Sequence, residues 1–247
     1  MLSISNVKEG SSVASYYEQS DDYYIRGEAK GGWFGIGGEM LGLVGAVDAP
    51  VFTEALAGRL PGGTTIHRAA GGHRGGLDMT FSAPKSVSLM GIMLGDGRVM
   101  EAHTKAVLKT LKIAEGMTGC RATATGNTVH QVTGNLLGAR FDHELSRACD
   151  PQLHSHCVVI NATKRVDGQW RALDNEPLYR NKMLMGAAYR AELARELQSL
   201  GYQISVTHSD GRFELAGWDV NVLREFSQRS RAIEDYLVGP AKPRHPA

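Results

Sequence analysis

The chain has 247 residues, 42% of them hydrophobic and 21% charged, with 27 Lys and Arg against 26 Asp and Glu for a formal net charge of +1. That length buries a full core in one large domain, or in one domain with a small appendage, and the composition excludes a disordered or fibrous chain. No apolar run approaches membrane-spanning length, MLSISNVKEG lacks the basic-then-apolar pattern of a secretory leader, and three cysteines without a CxxC argue against a thiolate zinc site and for a reducing, cytoplasmic setting.

Charge is unevenly spread: residues 1–60 carry four Lys or Arg against eight Asp or Glu, and the remainder 23 against 18. A basic groove for a polyanion is permitted by this, not demanded. Near the start, YY and DDYY supply Tyr16, Tyr17, Tyr23 and Tyr24. Adjacent tyrosines are commonly packing residues, and a phenol with a pKa near 10 is only about one part in a thousand ionised at neutral pH, so a nucleophilic tyrosine needs help from elsewhere.

GGWFGIGGEMLGLVG carries seven glycines and predicts a loop or tight bend beside other backbone. Asp48 then caps a short helix with Pro50 in its first turn, running through VFTEALAGRL and stopped at PGG. RAAGGHRGG reads as flexible, LDMTF as a strand, and Ser82 with Pro84 as a helix start. Residues 98–117 form a second helix with Val99, Ala102, His103, Ala106, Thr110 and Ala114 on one stripe, which makes His103 a packed core histidine.

In NLLGARFDHE, Leu137, Ala139, Phe141 and His143 alternate with Leu136, Gly138, Arg140 and Asp142, as a half-buried strand requires. SRACDPQL connects it, with Asp150 and Pro151 as turn formers, to a second strand in LHSHCVVINAT. Antiparallel pairing sets His143 opposite His154 or His156 and turns all three imidazoles to one side, with Ser155 and Cys157 on the other. An HxH pair alone is more often two polar positions on an edge strand; a third histidine of matching parity favours a metal site. Zn, Ni, Cu, Co and Mn suit three imidazoles, whereas Mg prefers oxygen and would lean on phosphate and water.

Further on, VDGQW makes a tight turn, a helix near 181–200 is closed by Gly201, and residues 202–216 form a hairpin turning at Asp210 and Gly211. Asp219 starts a last helix through DVNVLREFSQRSRAIEDYL, and GPAKPRHPA has linker composition, the expectation being that more protein follows. Strands and helices without regular βα alternation predict an α+β fold, an antiparallel sheet with helices on its faces. A metal beside a tyrosine suits attack of a phenolic oxygen on a phosphodiester, which stores the bond as phosphotyrosine and releases a 3′ hydroxyl.

Taken together, YY with DDYY, WFGIGGEMLGL, GLDMTFSAPKSVS and GNLLGARFDHELSRACDPQLHSHCVVINAT closely resemble the TrwC/TraI-type conjugative relaxases, the MobF class of the HUH endonucleases, over about residues 1 to 236. The resemblance implies a central five-stranded palm with a mobile C-terminal clamp at 181–236, and a linker at 237–247 toward a helicase-type region. It implies His143, His154 and His156 as metal ligands, Tyr16 as the tyrosine that cuts at the transfer origin, and Tyr23 as the tyrosine of a second strand transfer. Tyr17 and Tyr24 are supporting members. Asp78 matches an aspartate beside the histidines, either a general base for Tyr16 or an orienting partner of a ligand imidazole.

The implied partners are single-stranded plasmid DNA with an adjacent hairpin, relaxosome accessory proteins and a type IV secretion coupling protein, with no membrane insertion. The protein would act in the donor cytoplasm and travel to the recipient with the DNA. Arg68, Arg74, Lys85, Lys164 and Arg165 are candidate DNA contacts. Two departures from the family pattern stand out: Ser155 where threonine is common, and Cys149 before Asp150. Alternative readings are a rolling-circle replication initiator, a non-catalytic origin-binding regulator and, remotely, a metalloenzyme acting on a small substrate.

Overall fold

The computed structural model describes residues 1–8, 31–66, 74–124, 127–146 and 148–228. All four candidate tyrosines, Arg68, RAAGGHRGG through His73 and the expected linker lie outside the described residues.

Five strands make one sheet: β1 (Leu2–Lys8), β2 (Gly31–Phe34), β3 (Arg74–Ser82), β4 (Gly138–Leu145) and β5 (Pro151–Ile160). Their order is β1-β3-β5-β4-β2, and every neighbouring pair is antiparallel, the α+β sheet expected. β5 sits in the middle because its second half, CVVI, is apolar at consecutive positions and is buried on both faces, while its first half alternates.

The glycine-rich stretch is not simply a loop. Gly31–Phe34 pairs with Phe141–Gly138 as an edge strand, and Ile36–Glu39 makes one helical turn. What the glycines allow is close approach of two backbones: Gly35 has φ +91°, and a Cβ there would lie 2.3 Å from the Leu136 carbonyl oxygen.

Helices cover both faces of the sheet. On one face lies α1 (Ala49–Leu56), capped as expected by Asp48, whose Oδ1 accepts from the Val51 amide at 2.9 Å. It stops four residues earlier than VFTEALAGRL suggested, because Gly58 takes φ +80° and Arg59–Leu60 turn to pair with Thr64–Thr65. Phe52, Ala55 and Leu56 pack on Ala139, Phe141, Val158 and Ile160.

The other face carries α2 (Lys85–Ser88), α3 (Gly97–Glu115) and α4 (Lys182–Ser199). Here Leu77, Met79, Phe81 and Val159 meet Val99, Ala102 and Ala106 of α3 and Met185, Tyr189, Leu193 and Leu197 of α4. All four of those α4 side chains are fully buried, so the front of the expected 181–236 clamp belongs to the main core. The hairpin Ile204–Val206 with Phe213–Leu215 follows, and Asp219 caps Val220–Glu225. That last helix was expected to run on to Leu237; among the described residues it ends at Glu225, where Phe226 leaves helical geometry.

His103 is the packed core histidine the stripe predicts, with its two ring nitrogens 2.7 Å from the Tyr189 hydroxyl and 2.9 Å from Ser155 Oγ. Burial, reinforced by the positive charges of the N-terminal amino group and then Arg140, lowers its pKa from 6.5 to about 3. Between those two values the unfolded chain binds a proton that the folded chain refuses. Its contribution is therefore complete above pH 6.5 and is lost as the pH falls toward 3, at up to about 1.4 kcal/mol per pH unit. His103→Gln is expected to flatten the fall in stability between pH 6 and pH 4 by close to one proton, measured by denaturant unfolding at a series of pH values; an unchanged slope would show that His103 titrates like a free imidazole.

Candidate metal centre

The β4–β5 register resolves the choice left open by parity: His143 pairs with His154, and Phe141 with His156. On the other side of β5, Ser82 pairs with His154 and Thr80 with His156. Directly opposed residues share a face, so the three imidazoles gather at one end of the sheet, next to the α1-covered apolar half. Among the described residues no group of three or more His, Cys, Asp or Glu side chains is placed so that it could hold a metal ion as it stands. The ring centroids of the trio are 5.0, 5.1 and 5.3 Å apart. Metal–nitrogen bonds of about 2.0–2.1 Å in tetrahedral array put imidazole centroids about 5 Å apart, the spacing seen here, and the rings would have to turn to direct their nitrogens at one first-row divalent ion.

Two rings are already held in one tautomer. His154 Nδ1 donates to the Gln152 carbonyl at 2.8 Å, and His156 Nδ1 donates to Asp78 Oδ2 at 2.7 Å. Each neutral ring then keeps its lone pair on Nε2, the atom a metal needs. Thr80 supports the second contact, its Oγ1 lying 3.2 Å from Asp78 Oδ1 and 3.3 Å from His156 Nδ1. Burial, then the neighbouring His154 and His156, push the pKa of His143 down to about 3, with Asp78 opposing. Its neutral form, the one that binds metal, is thereby favoured.

The link between the metal strands is compact. Ser146 Oγ accepts from the amides of Ala148 and Asp150, and Ser146 N donates to the Asp150 carbonyl. Pro151 is less a turn former than the first residue of β5, paired with Leu145. Cys149 is exposed at φ +58°, the only positive φ among non-glycine residues described.

The candidate DNA contacts do not form one group. Lys85 is half-buried with Nζ donating to the Pro151 carbonyl at 2.8 Å, and burial lowers its pKa against the pull of Asp150 and Glu214. Arg74 is exposed at the start of β3, opposite Lys8. Lys164 lies 6.0 Å over the Trp170 ring, and Arg165 is 3.5 Å from Asp167, both beyond the end of β5 farthest from the histidines. Arg171 adjoins Trp170, over which Lys164 lies, and Arg121 lies 3.5 Å from Asp174. Sequence reasoning passed over those two arginines; the alternation in GCRATA, one strand of a hairpin at Gly119–Ala124 and Asn127–Val132, was the available signal for Arg121 only.

A central antiparallel sheet bearing a histidine trio with a carboxylate bonded to one ring defines an α+β protein with a candidate metal centre. The chain belongs to the TrwC relaxase family, whose model matches residues 10–245. It is 40% identical to the multifunctional conjugation protein TraI of Escherichia coli, over 95% of this chain but 14% of that protein's length. The conjugative relaxase TrwC in complex with OriT DNA, metal-bound, superposes with a TM-score of 0.89 at 41% identity, covering 100% of this chain and 86% of that one. TrwC complexed with a 27-mer DNA comprising the recognition hairpin and the cleavage site gives a TM-score of 0.85 at 42% identity, covering 96% and 82%.

If Asp78 holds the His156 tautomer, Asp78→Asn is expected to weaken Mn²⁺ or Zn²⁺ binding by about 10- to 100-fold in calorimetric titration, with the fold retained; wild-type affinity in that variant would remove Asp78 from the centre. Replacing Cys149 by Gly, which occupies φ +58° without steric cost, is expected to raise unfolding stability by about 0.5–1 kcal/mol in a denaturant titration.

Proposed function

We propose that this chain is a conjugative relaxase domain that cuts one strand of plasmid DNA at the transfer origin and rejoins it after transfer. The observation that carries the reading is the histidine trio on β4 and β5, with the His154 and His156 tautomers fixed so that Nε2 of each points away from its backbone or carboxylate partner. Family membership and the likeness to TrwC bound to OriT DNA support the substrate.

In this reading the Tyr16 hydroxyl gives up its proton and its oxygen attacks the scissile phosphorus. The P–O3′ bond breaks, the 3′ oxygen takes up a proton, and a 5′-phosphotyrosine remains. One phosphoester bond forms as one breaks, so the reverse attack by a 3′ hydroxyl reseals the strand without an energy source. A divalent ion held by His143, His154 and His156 would supply Lewis acidity, offsetting charge on the non-bridging oxygens and making phosphorus more electrophilic; Mn, Mg, Zn, Ni and Co remain its candidate identities.

Tyr16 lies eight residues beyond Lys8, the end of β1, which bounds its reach to about 29 Å from that point. Tyr23 serves a second transfer, and Tyr17 and Tyr24 support the two nucleophiles. The hydrogen bond to His156 favours Asp78 as an orienting partner over a general base for Tyr16. Arg68, Arg74, Lys164 and Arg165 meet phosphates, joined by Arg121 and Arg171, while Lys85 acts first by holding Pro151.

We take residues 1–236 as the relaxase domain. Because α4 is core, the part that closes over DNA starts near Asp219, and 237–247 leads into the further region that the much longer TraI relative contains. Accessory proteins at the origin, a coupling protein of the secretion channel, and passage from donor cytoplasm to recipient complete the proposal. No helix among the described residues is long and apolar enough to cross a membrane.

Incubated with Mn²⁺ and a single-stranded oligonucleotide carrying the cognate transfer origin, the protein is expected to yield a covalent adduct on denaturing gels. Tyr16→Phe should lower adduct formation on the order of 10³-fold or more, and chelation should do likewise. Undiminished adduct in Tyr16→Phe would refute the nucleophile assignment.

A further inference from the structure

Between the two metal-face histidines of β5, Ser155 points the opposite way and is fully buried. A hydroxyl under the middle of a sheet costs free energy unless its hydrogen-bonding capacity is used. Ser155 Oγ lies 2.5 Å from Asp142 Oδ1 and 2.9 Å from His103 Nε2, and His103 Nδ1 lies 2.7 Å from the Tyr189 hydroxyl. Chemistry fixes every proton. A carboxylate only accepts, so Ser155 donates to Asp142; its oxygen then accepts from His103 Nε2–H; Nδ1 therefore accepts from Tyr189 O–H. The second Asp142 oxygen takes Arg140 Nη1 at 2.5 Å, and the same nitrogen lies 3.2 Å from Thr104 Oγ1.

The chain of bonds thus runs in one direction from α4 through α3 into β5 and on to β4. It enters the sheet at a particular place. Asp142 and Ser155 are register partners, flanked on the opposite face by the His143–His154 pair on one side and the Phe141–His156 pair on the other. A shift of pairing by one residue would exchange the two faces, burying the imidazoles and exposing the polar relay. Apolar side chains at 142 and 155 would pack the layer but would leave the local pleat and twist free to adjust. A bonded Ser–Asp pair anchored to two helices removes that freedom directly beneath the rings.

We infer that Tyr189, His103, Ser155 and Asp142 form a positioning chain for the metal centre, setting the spacing of His143, His154 and His156 through the underside of β4 and β5. This rests on the reading of those histidines as metal ligands. None of the four touches the metal or DNA; each acts through the strand it anchors.

The test uses Ni²⁺ affinity by calorimetry and the electron paramagnetic resonance spectrum of the Cu²⁺-loaded protein. Ser155→Ala is expected to weaken Ni²⁺ binding about tenfold or more and to change the Cu²⁺ spectrum. Ser155→Thr, which keeps the hydroxyl, should restore both. Leu193→Ala, a core truncation in α4 outside the relay, should lower the melting temperature yet leave affinity and spectrum as in the wild type. Equal affinity and an identical spectrum in Ser155→Ala, or a loss no larger than that of Leu193→Ala, overturns the inference. Should Ser155→Ala fail to fold, Tyr189→Phe removes only the distal hydroxyl and is expected to weaken Ni²⁺ binding a few-fold, with wild-type affinity counting against the chain. Failure of the ligand reading itself looks different: the wild type would take up no Ni²⁺, or His154→Ala would bind it unchanged.

Discussion

Antiparallel pairing of β4 with β5, with His143 opposite His154, is the constraint on which the rest of the molecule turns. Two strands joined by a short link can pair in several registers, and side-chain alternation makes neighbouring registers opposite in meaning. The apolar ends choose between them. Ala139 and Phe141 of β4, with Val158 and Ile160 of β5, are buried under α1, and burying four such side chains contributes several kcal/mol that a one-residue slip would forfeit. The hydrophobic half of the ribbon thereby determines where the polar half brings its imidazoles.

Both faces of β5 carry polar groups at its first half, and they are handled differently. On the histidine face the three rings stay partly accessible, and His154 and His156 are held through Nδ1 by the Gln152 carbonyl and Asp78. Beneath, Ser155 is sealed and fully bonded, and the depressed His103 pKa follows from the same burial that makes the relay rigid. Neutral imidazole suits both settings: above, it is the form that ligates a cation; below, it is the form that donates at one nitrogen and accepts at the other.

Much of this was legible in the sequence because alternation and cap chemistry are local. The HxH strand, the half-buried partner strand, the Asp48 cap, the α3 stripe with its core histidine and the shared face of His143, His154 and His156 all follow from periods of two and 3.6 residues. What was not legible depended on partners distant in the chain. Gly31–Phe34 becomes a strand only because β4 offers an edge that tolerates glycine, and α1 ends early because Gly58 and the Arg59–Thr65 pairing compete with helix. Lys85 read as a surface cation because nothing near it in sequence announces Pro151 or Glu214 as neighbours. The direction of Ser155 was read correctly, but its partners on α3 and β4 required the packed helix.

The SAPKS segment shows how the C-terminal part is coupled to the metal strands. Ala83 N donates to the Leu153 carbonyl, Ser88 Oγ accepts from Leu153 N, and Lys85 Nζ reaches the Pro151 carbonyl, so the residues just before His154 are held at three points. The same turn binds the 204–215 hairpin: Glu214 accepts from the amide and hydroxyl of Ser86, and Leu215 N donates to Ser86 Oγ. Asp150, the last residue of the link and adjacent to Pro151, accepts from Gln228 N. Burying half of an ammonium group is costly, and a lysine in this position is offset by the Pro151 carbonyl together with the nearby charges of Asp150 and Glu214. Among the described residues the segment after Asp219 therefore meets the link before β5 through the Gln228–Asp150 bond, whereas the 204–215 hairpin is held by its bonds to Ser86 together with the burial of Phe213 and Leu215. If this segment is the one that closes over DNA, as proposed above, its hold on Asp150 lies outside the sheet that orients the imidazoles.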